Sequence, residues 1–446
     1  MEERSVQDLR ELQTFVVQLG AAMNAAGESV DSVQQRLARV ARAYGARSAR
    51  ISAFPTFMMV TMGRGEPATL ELTTSLAAPR LDQIAALDRL VQQAERAALS
   101  PAEGIRALDE IVEMGRRFGP LQSIVGYAVL ASGLCLILHP ALRDVAAAAV
   151  LGALVGLLRS IGGTPSPLQI LMPVVAAFAV SALAAFAAEH DVTGAGLRAM
   201  VASLVVFLPG ATLTTAVMEL AAGQMVSGAS RLVSGVMQLA LLTFGIIAGI
   251  DAVGAPSSLV LSDSEDVLGS WAPWLGVLVF AVGVLVAHSA PARSFPGLLI
   301  VLYAAWIGQV VGNAIFGGYM SALLGALVMT PVAFWVSRLP SAMPSHASFL
   351  PGFWLLVPGA LGLIGLTQLA EDGATAGAED LVATGVSIFA IAIGVLCGSL
   401  LLAWVVATRK VVGGVSGSLA ERNPWLKRFG VPAEPRSRGD STPTGP

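Results

Sequence analysis

The sequence predicts an all-α polytopic membrane protein of about ten transmembrane helices in two inverted five-helix repeats, preceded by a small α+β cytoplasmic domain. Three observations predict it. Of the 446 residues, 55% are hydrophobic and 13% charged, with a mean hydropathy of +0.72, whereas soluble domains carry about 25% charged residues. The charges are also unevenly placed: residues 1–119 hold 29 of the 57 Asp, Glu, Lys and Arg, residues 409–446 hold 10, and the 289 residues between hold 18. Finally, a Pro-Gly segment recurs 149 residues later, on a span expected to cross in the opposite direction.

Residues 1–119 have the pattern of a compact cytoplasmic α+β domain. Val6 to Ala26 and Ser29 to Tyr44 show helical periodicity, "RISAFPTFMMVTM" and "TLELTTSL" read as two short strands, and Leu81 to Ala98 and Pro101 to Arg117 read as two further helices. Ser100 before Pro101, with Glu103 behind it, is a helix start. The first 25 residues mix charges throughout and lack the apolar stretch of a secretory signal.

Ten windows of about 20 apolar residues each suit one crossing: 121–138, 141–158, 168–188, 197–218, 232–250, 271–289, 297–314, 318–337, 349–369 and 382–408. The second and seventh are among the shortest readings. Residues 120–255 form the first repeat and 268–408 the second, and residues 409–446 are a basic cytoplasmic tail expected to be disordered. With the N-terminus inside, cytoplasmic ends receive Arg116, Arg117, Arg159, Arg231, Arg293, Arg338, Arg409 and Lys410. The outer loops "DAVGAPSSLVLSDSED" and "AEDGATAGAED" carry acids and no Lys or Arg. This is the positive-inside pattern, with Arg143 and Arg198 as exceptions.

The repeat is legible in "FLPGATLTTAVMELA" at 207–221 over "LVPGALGLIGLTQLA" at 356–370. The copies lie on the fourth and ninth spans, five crossings apart, so they run in opposite directions, as in many secondary transporters. Proline in mid-membrane removes a backbone hydrogen bond and clashes with the preceding turn, but it is well placed at the start of a new half-helix. Breaks at Pro209-Gly210 and Pro358-Gly359 would each direct a positive helix N-terminus towards the midplane, where it suits a carboxylate. Thr212 and Thr215 share a face behind the first break, with Thr214 beside them, and their hydroxyls suit a small polar ligand. The competing reading is a packing kink with threonines bonded to their own turn.

Glu219 lies ten residues past Pro209, about 15 Å along a helix, near the cytoplasmic interface. It is either a solvated interfacial acid or a proton-coupling or gating group. Arg143 and Asp144 at the outer end of the second span, and Asn313 at the end of the seventh, are candidate lining residues.

Enzyme chemistry is disfavoured. The only lysines, Lys410 and Lys427, lie in the tail, so no Walker-type loop can form. His139, His190, His288 and His346 stand singly near span ends and read as loop or interface residues. Cys135 and Cys397 fall in apolar runs, and there is no GxSxG elbow, metal motif or cofactor signature. No basic stripe points to nucleic acid.

With these residues in view, the chain resembles the threonine/serine exporter family, whose members include dicarboxylate exporters formed from two separate chains. "LGAAMNAAGESVDSVQQRLARVARAYGA" followed by "ISAFPTFMMV" looks like that family's cytoplasmic amino-terminal region, and "FLPGATLTTAVMELAAGQMVSGASRL" looks like its Leu-Val-Pro-Gly segment. By position the resemblance points to Pro209, Gly210, Glu219, Gly223 and Gly228. Glu219 stands where the family has aspartate, and Gln224 where it has an acid. The resemblance implies a proton-driven exporter of ten spans in the bacterial inner membrane, with both termini cytoplasmic.

The expected function is export of small hydrophilic amino acids, threonine and serine, by alternating access between the fourth and ninth spans. Export of C4 dicarboxylates such as succinate and a non-coupled channel are the alternatives. Expected partners are the substrate, protons and the lipid bilayer, with a homo-oligomer compatible and no cofactor or metal implied.

Overall fold

The computed structural model describes residues 2–62, 69–72, 79–138, 140–161, 168–190, 197–256, 268–317, 320–339, 342–356, 382–402 and 404. Met1–Gly398 form one compact unit and Ser399–Pro446 a second. In the second, only the last residues of one helix and Trp404 are described.

The amino-terminal layer contains α1 (Glu2–Ala25), α2 (Val30–Ala43), β1 (Arg50–Ala53), β2 (Phe57–Thr61), β3 (Thr69–Leu72), α3 (Leu81–Ala94) and α4 (Pro101–Glu113). The strands form an antiparallel sheet in the order β1-β2-β3, with Ala53 opposite Met58 and Val60 opposite Thr69. The stretch read as one strand from Arg50 is therefore two. Pro55 has no N–H to give a ladder and sits in the turn between them, where Phe54 N–H donates to the Phe57 carbonyl at 2.9 Å. The helix start at Ser100 is a capping box: Ser100 Oγ accepts from Glu103 N–H, and the Glu103 carboxylate accepts from Ser100 N–H at 2.8 Å. Phe15, Leu19, Met23, Leu37, Met58, Val60 and Val91 form the layer's apolar core.

The membrane helices follow: α5 (Pro120–Ile137), α6 (Leu142–Ile161), α7 (Leu168–Glu189), α8 (Leu197–Leu204), α9 (Gly210–Ala221), α10 (Met225–Val253), α11 (Ala272–Ala287), α12 (Phe295–Phe316), α13 (Ser321–Val336), α14 (Ser345–Leu356) and α15 (Val382–Leu402). Among the described residues, six helices are long and apolar enough to cross a membrane, or seven when the bent pair α8 and α9 counts as one. This is a multi-pass membrane protein. The second and seventh windows, among the shortest, correspond to two of the long helices: α6 runs on past its window through Arg159 and Ser160 to Ile161, and α12 begins two residues before its window and ends two after it. The short ones are α11 and α13 at 16 residues each, about 24 Å of helix. Of the ninth window only the part up to Leu356 lies within the described residues.

Glycines set the helix contacts, as expected where lipid offers no hydrophobic drive and close approach supplies the attraction. On α5 and α11 a Cβ at Gly133 would strike the Phe280 backbone, and one at Gly283 the Leu130 backbone. A second pattern joins α7 to α10 and α13 to α15. A Cβ at Gly245 would meet Val174 O, Ala177 Cβ and Phe178 N, and one at Gly394 would meet Leu323 O, Ala326 Cβ and Leu327 N. Gly249 against Phe178 O and Ala182 N is matched by Gly398 against Leu327 O and Pro331 Cδ. Each of these residues is displaced from its counterpart by 149 positions.

Candidate functional site

The fourth apolar window is broken where the sequence places Pro209. After α8 the chain makes a 3-10 turn over Val205–Phe207, and Leu208 is extended (φ −68, ψ 127), as the residue before proline prefers. Pro209 caps α9, whose axis is bent 56° from the preceding segment. Proline thus precedes the first helical residue, Gly210, instead of occupying that position. The backbone freed by the break is partly answered from α10: Gln238 Nε2 donates to the Phe207 carbonyl. The Pro209 carbonyl accepts from Leu213 N–H at 2.8 Å. The N–H groups of Gly210, Ala211 and Thr212 have no acceptor among the described residues.

Thr214 is 0% exposed and its hydroxyl has no hydrogen-bond partner, so the bond back to its own turn is absent. Thr212 and Thr215 are half-buried on the same helix. Pro358 and Gly359 lie outside the described residues, but α14 ends two residues before Pro358 and packs against α9.

A chain of rings runs beside the break. The Arg159 guanidinium stands 5.5 Å from the Phe207 ring centroid and 5.6 Å from that of Tyr127. Tyr127 meets His288 edge-on at 5.7 Å, and His288 lies 5.1 Å from Trp354. These rings connect the residues just before the first break to those just before Val357. From the sequence, Arg159 reads only as a loop charge and His288 only as a loop or interface residue, because periodicity reports spacing along one helix and is silent about neighbours from another.

Glu219 occupies a second polar centre. It is 1% exposed, which overturns the solvated reading. Its carboxylate accepts from Val30 N–H at 3.0 Å and pairs with Arg231 Nε at 3.1 Å. Val30 opens α2, so a membrane-helix acid caps a helix of the amino-terminal layer. Arg231 also donates to the Glu28 carbonyl at 3.4 Å. The Glu28 carboxylate pairs with Arg36 at 3.2 Å and faces His346 Nε2 at 3.7 Å. Arg36 in turn reaches Asp88 at 2.8 Å. Burial would lower the Arg36 pKa, but Glu28, Asp88 and Glu95 outweigh it and hold the pKa above its ordinary value. A further tie is Leu81 N–H donating to the His288 carbonyl at 3.2 Å.

The other expected residues have local roles. Gly223, at φ +81, ends α9 in a Schellman turn: its own N–H donates to Leu220 O and Gln224 N–H to Glu219 O. At Gly228 a Cβ would press on the Ala216 carbonyl and the Leu220 backbone, so this glycine lets α10 approach α9. Asp144 is buried and accepts from Ala141 N–H at 2.9 Å. Arg143 and Asn313 are exposed. Among the described residues no group of three or more His, Cys, Asp or Glu could hold a metal ion.

A multi-pass bundle with a broken, hydroxyl-lined span and unsatisfied helix amides is the architecture of a membrane transporter. The chain matches the family described as "Putative threonine/serine exporter" over residues 14–253, and it belongs to that family. It is 26% identical over 398 residues to the "Probable threonine/serine exporter" of Mycobacterium tuberculosis, covering 82% of this chain and 74% of that one. It is also 22% identical over 374 residues to "Pheromone-regulated membrane protein 10" of Debaryomyces hansenii, covering 80% of this chain and 36% of the yeast protein. No solved structure matches.

Proposed function

We propose that the protein exports threonine and serine across the bacterial inner membrane, driven by the proton gradient, by alternating access around the Pro209-Gly210 break. The break itself carries the reading: a bent span with three free amides and an unpartnered buried hydroxyl at its inner end, in a chain of an exporter family. Ten crossings follow when the bent pair, the short α11 and α13 and the 349–369 window are added to the six long helices. The glycine contacts that recur at an offset of 149 support a two-fold repeat, and five crossings per repeat make it inverted. Pro358 and Gly359 would supply the second half-helix. Glu219 is the coupling or gating acid, because protonating it would weaken its pair with Arg231 and its cap on α2 together.

The test is efflux from vesicles loaded with threonine, serine or succinate, with and without an imposed proton gradient. Saturable, gradient-stimulated efflux of threonine and serine is expected. Saturable succinate efflux alone would replace amino acids with dicarboxylates, and flux that does not saturate would indicate a channel.

A further inference from the structure

We infer that Arg159 is the residue that receives the substrate's carboxylate. This rests on reading the break as the transport site. Arg159 closes the last turn of α6 and is exposed, and among the described residues it has neither an ion pair nor a hydrogen bond. The Phe207 and Tyr127 rings position its guanidinium by cation–π contact. Rings hold a cation without neutralising it and leave its N–H fork free, and that fork matches a carboxylate with two parallel bonds.

The surroundings of the fork suit the same anion. Phe207 lies three residues before Gly210, where the free amides of α9 begin. Thr214 is the independent sign of a ligand. It is fully buried and unpartnered, and it stands on α9 about one turn past the amides of Gly210 and Ala211. Cation, hydroxyl and amides therefore come from one repeat. At the offset of 149, Arg159 corresponds to Gly308 and Thr214 to Leu363, so the second repeat has no matching cation or hydroxyl. A site with one guanidinium fits a substrate with one carboxylate, an amino acid, better than a dicarboxylate.

The experiment uses the full chain in lipid nanodiscs, with radiolabelled threonine displaced by threonine, serine, succinate and threoninol, the analogue in which an alcohol replaces the carboxylate. Wild type should prefer threonine to threoninol. Arg159→Gln should lose about tenfold or more in threonine affinity and lose that preference. Arg159→Gln binding threonine within about twofold of wild type, with the preference intact, would overturn the assignment and leave the transport reading standing. Wild type binding neither threonine nor serine would overturn both. Should Arg159→Gln not fold, Arg159→Lys decides. A loss of about threefold or more with the preference kept supports the guanidinium fork, and unchanged affinity sinks it.

Discussion

A carboxylate with 1% of its surface exposed survives burial only when its charge is answered, and Glu219 is answered twice, by Arg231 and by the first amide of α2. Removing one partner leaves the other charge stranded. Arg231→Gln is expected to cost about 3–5 kcal/mol, read as a lower unfolding midpoint in detergent, and the double change with Glu219→Gln should recover part of that loss. Transport separates coupling from mere structure. Glu219→Gln should abolish gradient-driven efflux yet retain part of substrate counterflow, since a permanently neutral side chain can still bind and reorient. Equal loss of both activities would make the residue structural or gating. The acid was legible in the sequence as a charge in an apolar span. Its partner was not, because Val30 is 189 residues away and no local pattern records which amide a distant acid will cap.

Elements were legible where local chemistry decides them. The Pro209 break, the four helices of the amino-terminal layer and the capping box at Ser100 all follow from proline geometry, periodicity and side-chain capping. The strand count was not, because the alternating run in "RISAFPTFMMVTM" hides a turn that only Pro55 betrays. Helix contacts were legible only in retrospect, through glycines whose partners sit on other helices. Since Gly245 and Gly394 face matching backbone on α7 and α13, valine at either should overpack its helix pair by about 1–3 kcal/mol. The two variants should lower the detergent unfolding midpoint by similar amounts. Gly385→Ala, where a Cβ meets nothing within 4 Å, should stay within about 0.5 kcal/mol of wild type. A tolerated valine at only one of the pair would break the equivalence of the two halves.

At the scale of the molecule, the proposed orientation rests on the charge asymmetry of the loops, and two exposed positions can test it. Ala252, at the end of α10, belongs to the face assigned outside, and Ala292, just before α12, to the face assigned inside. A cysteine at Ala252 should react in intact cells with an impermeant thiol reagent, and one at Ala292 only after the membrane is opened. The opposite labelling would invert the molecule. Composition made the membrane class plain. How the amino-terminal layer docks was beyond the sequence, because the ties that hold it, from Glu219 to Val30, Arg231 to Glu28 and Leu81 to His288, join residues far apart in the chain.

The cap that Glu219 places on α2 also sets an order of events during synthesis. Val30 leaves the ribosome 189 residues before its acceptor, a wait of roughly 10–40 s at ordinary elongation rates of about 5–20 residues per second. Throughout that interval the first turn of α2 has only the Ser29 hydroxyl as a side-chain cap, which accepts from Ser32 N–H at 3.4 Å. The final bond becomes available only once α9 has been made and inserted. A nascent chain that stalls before α9 therefore presents an unfinished helix end, a mark by which incomplete copies differ from finished ones.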